Sequence, residues 1–148
     1  MLWCHFLREI SVHHHSLYYA GALPRVLIVD DDQLATDTRA LILCKMGFEV
    51  EVAKSGVEAL QRPDIHSFGV IVLDYDMPHL NGLETARLLR DLGVSSRLVM
   101  LSGRVDAPPG AFIDVFVSKG EGIHHLTTAI LNSHSGRRIP YKRAPRAR

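Results

Sequence analysis

The sequence predicts an α/β domain built on a parallel β-sheet with helices covering both faces. Three observations carry this. Short runs such as Val26-Leu27-Ile28-Val29 and Val70-Ile71-Val72-Leu73 are apolar at every position rather than at alternate ones, as strands buried on both faces require. Segments with helical spacing separate these runs, so strand and helix alternate along the chain. These two runs also end on carboxylates, at Asp30 and Asp74.

The chain has 148 residues, 47% of them hydrophobic and 22% charged, which fits one domain with a real core. Net charge is near zero but uneven. From Pro24 to Ser133 there are ten Lys or Arg against fifteen Asp or Glu, whereas Arg137 to Arg148 carries six positive charges and no negative ones. Cys4 and Cys44 form neither a CxxC pair nor a metal-ligand spacing, so two free, inert thiols in a reducing compartment are expected. No apolar run approaches the roughly 20 residues of a membrane helix, and no basic segment precedes an apolar one as in a secretory signal, so a soluble cytoplasmic protein is expected.

Residues 1–23 mix aromatics with His13, His14 and His15 and keep no period. They read as an extension outside the fold, poorly ordered, and adjacent histidines do not converge on one metal ion in regular structure. The domain then spans 24–133. Val26 to Val29 is its first strand. Leu34, Thr38, Leu41, Ile42 and Met46 follow at helical spacing, with Gly47 placed to end the helix. Phe48 to Ala53 is a short strand, and Ser55-Gly56-Val57-Glu58 has the capping-box form that opens a helix through Leu60.

Gly69 to Leu73 is the next buried strand, and Tyr75 to Gly82 is a loop of turn residues. A helix from Leu83 to Leu92 closes at Gly93. Arg97 to Leu101 and Ile113 to Val117 are strands, and Ile123 to Leu131 is the last helix. The connection between the last two strands holds Pro108, Pro109 and Gly110, so a shortened crossover with one turn at most is expected. Residues 134–148 read as a basic, solvated, disordered tail that is too short for a DNA-binding output domain.

In an open parallel sheet, ligands bind at the carboxyl ends of the strands. Asp30 and Asp31 close the first strand, Asp74 the third and Ser102 the fourth, and Lys119 follows the fifth. One carboxylate at a strand end is commonly a cap; the whole set points to a single acidic pocket. Carboxylates brought within a few Å repel by about 4 kcal/mol per pair at an intermediate dielectric, so the cluster needs counter-charge. Hard oxygen ligands without histidine or cysteine favour Mg2+, held by Asp30, Asp31, Asp74 and the backbone carbonyl of Asp76. With a lysine and a hydroxyl at hand, this is equipment for phosphoryl transfer to a carboxylate. Asp74 is the expected nucleophile, because it ends the central strand alone while Asp30 and Asp31 form a mutually repelling pair better relieved by metal.

Val29-Asp30-Asp31, Leu73-Asp74-Tyr75-Asp76-Met77-Pro78-His79-Leu80-Asn81-Gly82, Leu101-Ser102-Gly103 and Phe116-Val117-Ser118-Lys119 together resemble the motif set of response-regulator receiver domains. The resemblance covers about 24–133. It implies a flavodoxin-like sheet of five parallel strands in the order 2-1-3-4-5, and phosphorylation of Asp74 by a histidine kinase or a histidine phosphotransfer protein. It makes Asp31 a direct Mg2+ ligand and Asp30 a mostly water-mediated one. It also makes Lys119 a bridge between phosphoryl group and acidic site, Ser102 a hydroxyl that moves inward on activation, and Phe116 the aromatic that swings with it. Asp76 and Arg104 flank the position where the family tunes hydrolysis.

Two departures stand out. Gly120 follows the lysine where receivers usually carry proline, which leaves that loop looser. The shortened crossover alters a surface receivers commonly use to dimerise, so the usual dimer is not expected. A haloacid-dehalogenase-type phosphatase also uses an aspartyl phosphate, a hydroxyl and a lysine, but there the acidic pair follows the lysine, whereas here it comes first. A docking module that keeps the fold without phosphorylation leaves no physical reason for three clustered carboxylates. The expectation is a stand-alone phosphoacceptor, not a turnover enzyme, that signals through protein contacts.

Overall fold

The computed structural model describes residues 23–103 and 112–132. Five parallel strands, β1 (Val26–Val29), β2 (Val50–Ala53), β3 (Val70–Asp74), β4 (Arg97–Ser102) and β5 (Val115–Ser118), form one sheet in the order β2-β1-β3-β4-β5. The helices are α1 (Gln33–Lys45), α2 (Gly56–Leu60), α3 (Gly82–Asp91) and α4 (Ile123–Leu131), with 3-10 turns at Ile65–Ser67 and Lys119–Glu121. The fold class and strand order expected from the sequence are those observed.

Every residue of β1 and β3 is buried, which is why neither strand alternates. Leu27, Val29, Ile71, Leu73, Leu98 and Met100 face α2 and α3, meeting Ala59, Ala86 and Leu89. Val26, Ile28, Val70, Val72, Val99 and Leu101 face α1 and α4, meeting Leu43, Leu126 and Ile130. The sheet is thus wrapped on both sides, with its polar carboxyl edge left open.

Helix starts follow local chemistry. The Asp32 carboxylate accepts the Ala35 N–H at 3.0 Å and caps α1. At the start of α2 the Ser55 hydroxyl accepts the Glu58 N–H at 3.1 Å, but the Glu58 carboxylate accepts the Lys54 N–H at 2.8 Å rather than that of Ser55, so only half of the expected box forms. A full box, Asn81 with Glu84, starts α3 one residue before the expected position. Gly47 and Gly93 close α1 and α3 at positive φ, a conformation that costs a residue with a β-carbon more.

The helix expected from the spacing of Leu34, Thr38, Leu41, Ile42 and Met46 is present as α1, but that stripe is not its buried face; Leu34 is 78% exposed, while Thr36 and Leu43 are buried. Apolar residues lie all around this helix, so spacing alone does not single out a face. Cys44 is disulfide-bonded, not a free thiol; the spacing of cysteines along the chain says nothing about proximity in space. Strand β5 starts at Val115 rather than Ile113, because the Asp114 side chain, not a ladder carbonyl, accepts the Leu98 N–H at 2.8 Å.

The expectations for residues 1–22, for Arg104, for most of the crossover after Ser102 and for the basic tail lie outside the described residues. Among the described residues, no helix is long and apolar enough to cross a membrane.

Candidate functional site

The carboxyl ends of β1, β3, β4 and β5 bring the expected residues to one edge of the sheet. Carboxylate oxygens of Asp30, Asp31 and Asp74 all lie within 4.8 Å of one another. Asp74 is the last residue of β3 and is 3% exposed, Asp30 is buried directly after β1, and Asp31 faces solvent. The Lys119 ammonium stands 2.7 Å from Asp74 Oδ1 and 3.8 Å from Asp30 Oδ2.

Burial raises the pKa of Asp74, and the nearby Asp30 charge pushes the same way; Lys119 and the Asp76 backbone N–H, which donates to the Asp74 carboxylate, oppose it. Desolvation wins. A carboxylate in this state is poorly hydrated.

Ser102 is fully buried at the end of β4, one residue past the register partner of Asp74. Asp76 is exposed in the loop after β3. Phe116 is partly buried and packs on the cluster that also contacts Tyr75, Phe112 and Ile113. All the site residues expected from the sequence except Phe116 therefore lie at the carboxyl edge, and Phe116 sits on β5 below it.

Gly120 does not leave Lys119 unsupported. The Ser118 hydroxyl accepts the Gly120 N–H at 3.3 Å, while the Glu121 carboxylate accepts the Ser118 N–H at 3.1 Å. This capping box shapes the turn that aims the lysine.

The family model for the response regulator receiver domain matches residues 26–130. The chain belongs to this family. As a receiver domain of two-component systems, it is similar to the transcriptional regulatory protein CutR of Streptomyces coelicolor, with 37% identity over 82 residues that make up 55% of this chain and 38% of CutR. It is also similar to response regulator MprA of Mycobacterium sp. strain KMS, at 40% identity over 85 residues, 54% of this chain and 35% of MprA. The chain thus spans little more than a third of the length of these curated relatives.

Among solved structures, the signal receiver domain of the putative response regulator NarL from Mycobacterium tuberculosis is 26% identical with a TM-score of 0.66, covering 79% of this chain and 100% of that one. Chemotaxis protein CheY4 of Vibrio cholerae is 26% identical with a TM-score of 0.67, covering 76% and 99%.

Two features of this receiver domain escape sequence reasoning. The Arg39 guanidinium reaches back from α1 to pair with Asp30, Nη1 to Oδ2 at 2.9 Å. A helical side chain leans toward the helix N-terminus, so an arginine seven residues after the N-cap Asp32 was the available signal. The second is the contact of Gly82 with the backbone of Asp74, for which the turn-rich loop alone offered no distance.

The donor set fits a hard divalent cation. Three carboxylates face two cationic side chains, Lys119 and Arg39, which leaves an uncompensated negative charge at a cluster with only oxygen ligands.

Proposed function

We propose that this receiver domain is a phosphoacceptor: Asp74 takes a phosphoryl group from a phosphohistidine on a histidine kinase or a histidine phosphotransfer protein. The observation that carries this is the buried Asp74 carboxylate at the end of the central strand, with Lys119 at 2.7 Å and two further carboxylates within 4.8 Å.

An Asp74 oxygen attacks phosphorus, the P–N bond breaks, and the imidazole, protonated on its other ring nitrogen, takes the bonding electron pair and leaves neutral. Asp31, Asp30, Asp74 and the carbonyl of Asp76 are the groups that would hold Mg2+, which when bound neutralises phosphoryl oxygens. Lys119 moves with little cost from its ion pair with Asp74 to a phosphoryl oxygen. The Ser102 hydroxyl donates to another oxygen, and its inward movement opens space for Phe116. Burial of Asp74 keeps bulk water from the acyl phosphate, and Asp76 in the following loop tunes its hydrolysis.

The chain acts as an acceptor that assists its own phosphorylation, not as a turnover enzyme. Its output is contact with another protein, made at the face that Ser102 and Phe116 alter.

Borohydride reduction after treatment with acetyl phosphate and Mg2+ tests the assignment. An acyl phosphate on Asp74 becomes a homoserine residue at position 74 in the peptide map. Reduction at another carboxylate would overturn the choice of nucleophile.

A further inference from the structure

Arg39 occupies a place that makes it part of the metal chemistry. It lies on the inward face of α1, between the buried residues Thr36 and Leu43, and its side chain is largely shielded from solvent. Its guanidinium pairs with Asp30 Oδ2, while Asp30 Oδ1 accepts the Asp32 N–H at 2.9 Å. Both oxygens of Asp30 are therefore engaged by protein groups, and Lys119 stands a further 3.8 Å from Oδ2. Asp31, beside it in sequence, faces solvent.

We propose that Arg39 is a positioning residue that holds Asp30 within the protein and weakens the grip of the pocket on a divalent cation. This rests on the phosphoacceptor reading above. The physical argument is charge balance and geometry together. With Arg39 the three carboxylates face two cations; without it they face one, and the pocket gains a negative charge next to the metal ligands. Oxygen Oδ2 of Asp30, freed from the guanidinium, also becomes available to a metal ion or to its water shell. Arg39 thereby acts through Asp30, touching neither the phosphoryl group nor the attacking oxygen.

The test is calorimetric titration of Mg2+ into the wild type, Arg39→Met, Arg39→Lys and Asp31→Asn. Methionine keeps much of the apolar stem and removes the charge; lysine keeps the charge. Removing one unit charge several Å from a divalent ion in a hydrated pocket is expected to tighten Mg2+ binding about five- to tenfold in Arg39→Met. Arg39→Lys is expected to stay near the wild-type affinity.

Should Arg39→Met not fold, Arg39→Gln serves the same comparison, checked by Mg2+-dependent shifts of the urea midpoint. Equal or weaker binding in the uncharged variants overturns the role of Arg39, while wild-type binding that is lost in Asp31→Asn leaves the phosphoacceptor reading standing. Binding that appears only when Arg39 is replaced supports the proposal in its strongest form. No binding in any variant overturns the phosphoacceptor reading, and this proposal with it.

Discussion

A β-carbon placed on Gly82 would lie 2.2 Å from the backbone carbonyl oxygen of Asp74. The first residue of α3 thus presses directly on the end of β3, and the Gly82 N–H donates to the carbonyl of Tyr75 at 3.0 Å. Only glycine allows this approach, because the Met100 sulfur stands 2.8 Å away on another side. Gly82→Ala must move α3 or the end of β3, at a cost of about 3 kcal/mol, the upper range for overpacking a tight site. Urea denaturation measures it, and an unchanged midpoint would deny the contact.

Asp74 makes stability depend on pH in a definite direction. Because burial raises its pKa, the folded protein keeps a proton there at pH values where the unfolded chain has lost it. Stability contributed by this group therefore falls as pH rises from the ordinary carboxylate range through the raised value. Above that window the buried charge is a net cost, so Asp74→Asn in metal-free buffer is expected to stabilise the protein at neutral pH by on the order of 1 kcal/mol, about 3 to 6 °C in Tm. The gain should shrink as pH is lowered toward 4. A gain independent of pH would mean that the charge is not its source.

Lys119 is the counter-charge common to Asp74 and Asp30. Under the proposed phosphoacceptor role of Asp74, Lys119→Met removes the cation placed for the phosphoryl oxygens, with an expected loss of about a hundredfold in the rate of Asp74 phosphorylation. Stabilisation by added Mg2+ should grow in the same variant, since more negative charge is left uncompensated. Phosphorylation kinetics by intact mass, and melting with and without Mg2+, measure the two effects separately.

At the other end of the sheet, Arg90 ties α3 to β5. It donates to the Asp114 carboxylate at 2.6 Å and to the carbonyls of Val94, Ser96 and Phe112 at 2.7, 2.8 and 3.3 Å. Asp114 in turn accepts the Leu98 N–H, so one clamp aligns the start of β5 beside β4. Arg90→Met removes the donor shared by these four acceptors, leaving Asp114 only the Leu98 N–H, and is expected to cost about 2 kcal/mol. Phosphorylation of Asp74 in the still-folded variant should stay unchanged, because the clamp sits at the opposite ends of the strands. A large loss of phosphorylation with no loss of stability would contradict this division.

The fold was legible because burial on both faces leaves a plain mark: Val26-Leu27-Ile28-Val29 and Val70-Ile71-Val72-Leu73 have no other comfortable placement. The site was legible for the same reason, since a carboxylate at the end of such a strand must emerge at the open edge, and Asp30, Asp31, Asp74, Ser102 and Lys119 do so. What the sequence concealed depends on three dimensions. The buried face of α1 is set by Thr36 and Leu43, not by the more apolar Leu34 and Leu41, because nearly every side of that helix carries an apolar residue. Arg39 joins Asp30 across nine positions by leaning back along its helix. The disulfide at Cys44 left no signal in the sequence either, since cysteine spacing does not report proximity in space.

Whether Asp74 accepts a phosphoryl group is decided by intact-mass analysis after incubation with acetyl phosphate. One phosphoryl adduct is expected on the wild type, requiring Mg2+ and absent from Asp74→Asn. No adduct on the wild type and no phosphate released, or an adduct that persists in Asp74→Asn, would contradict it.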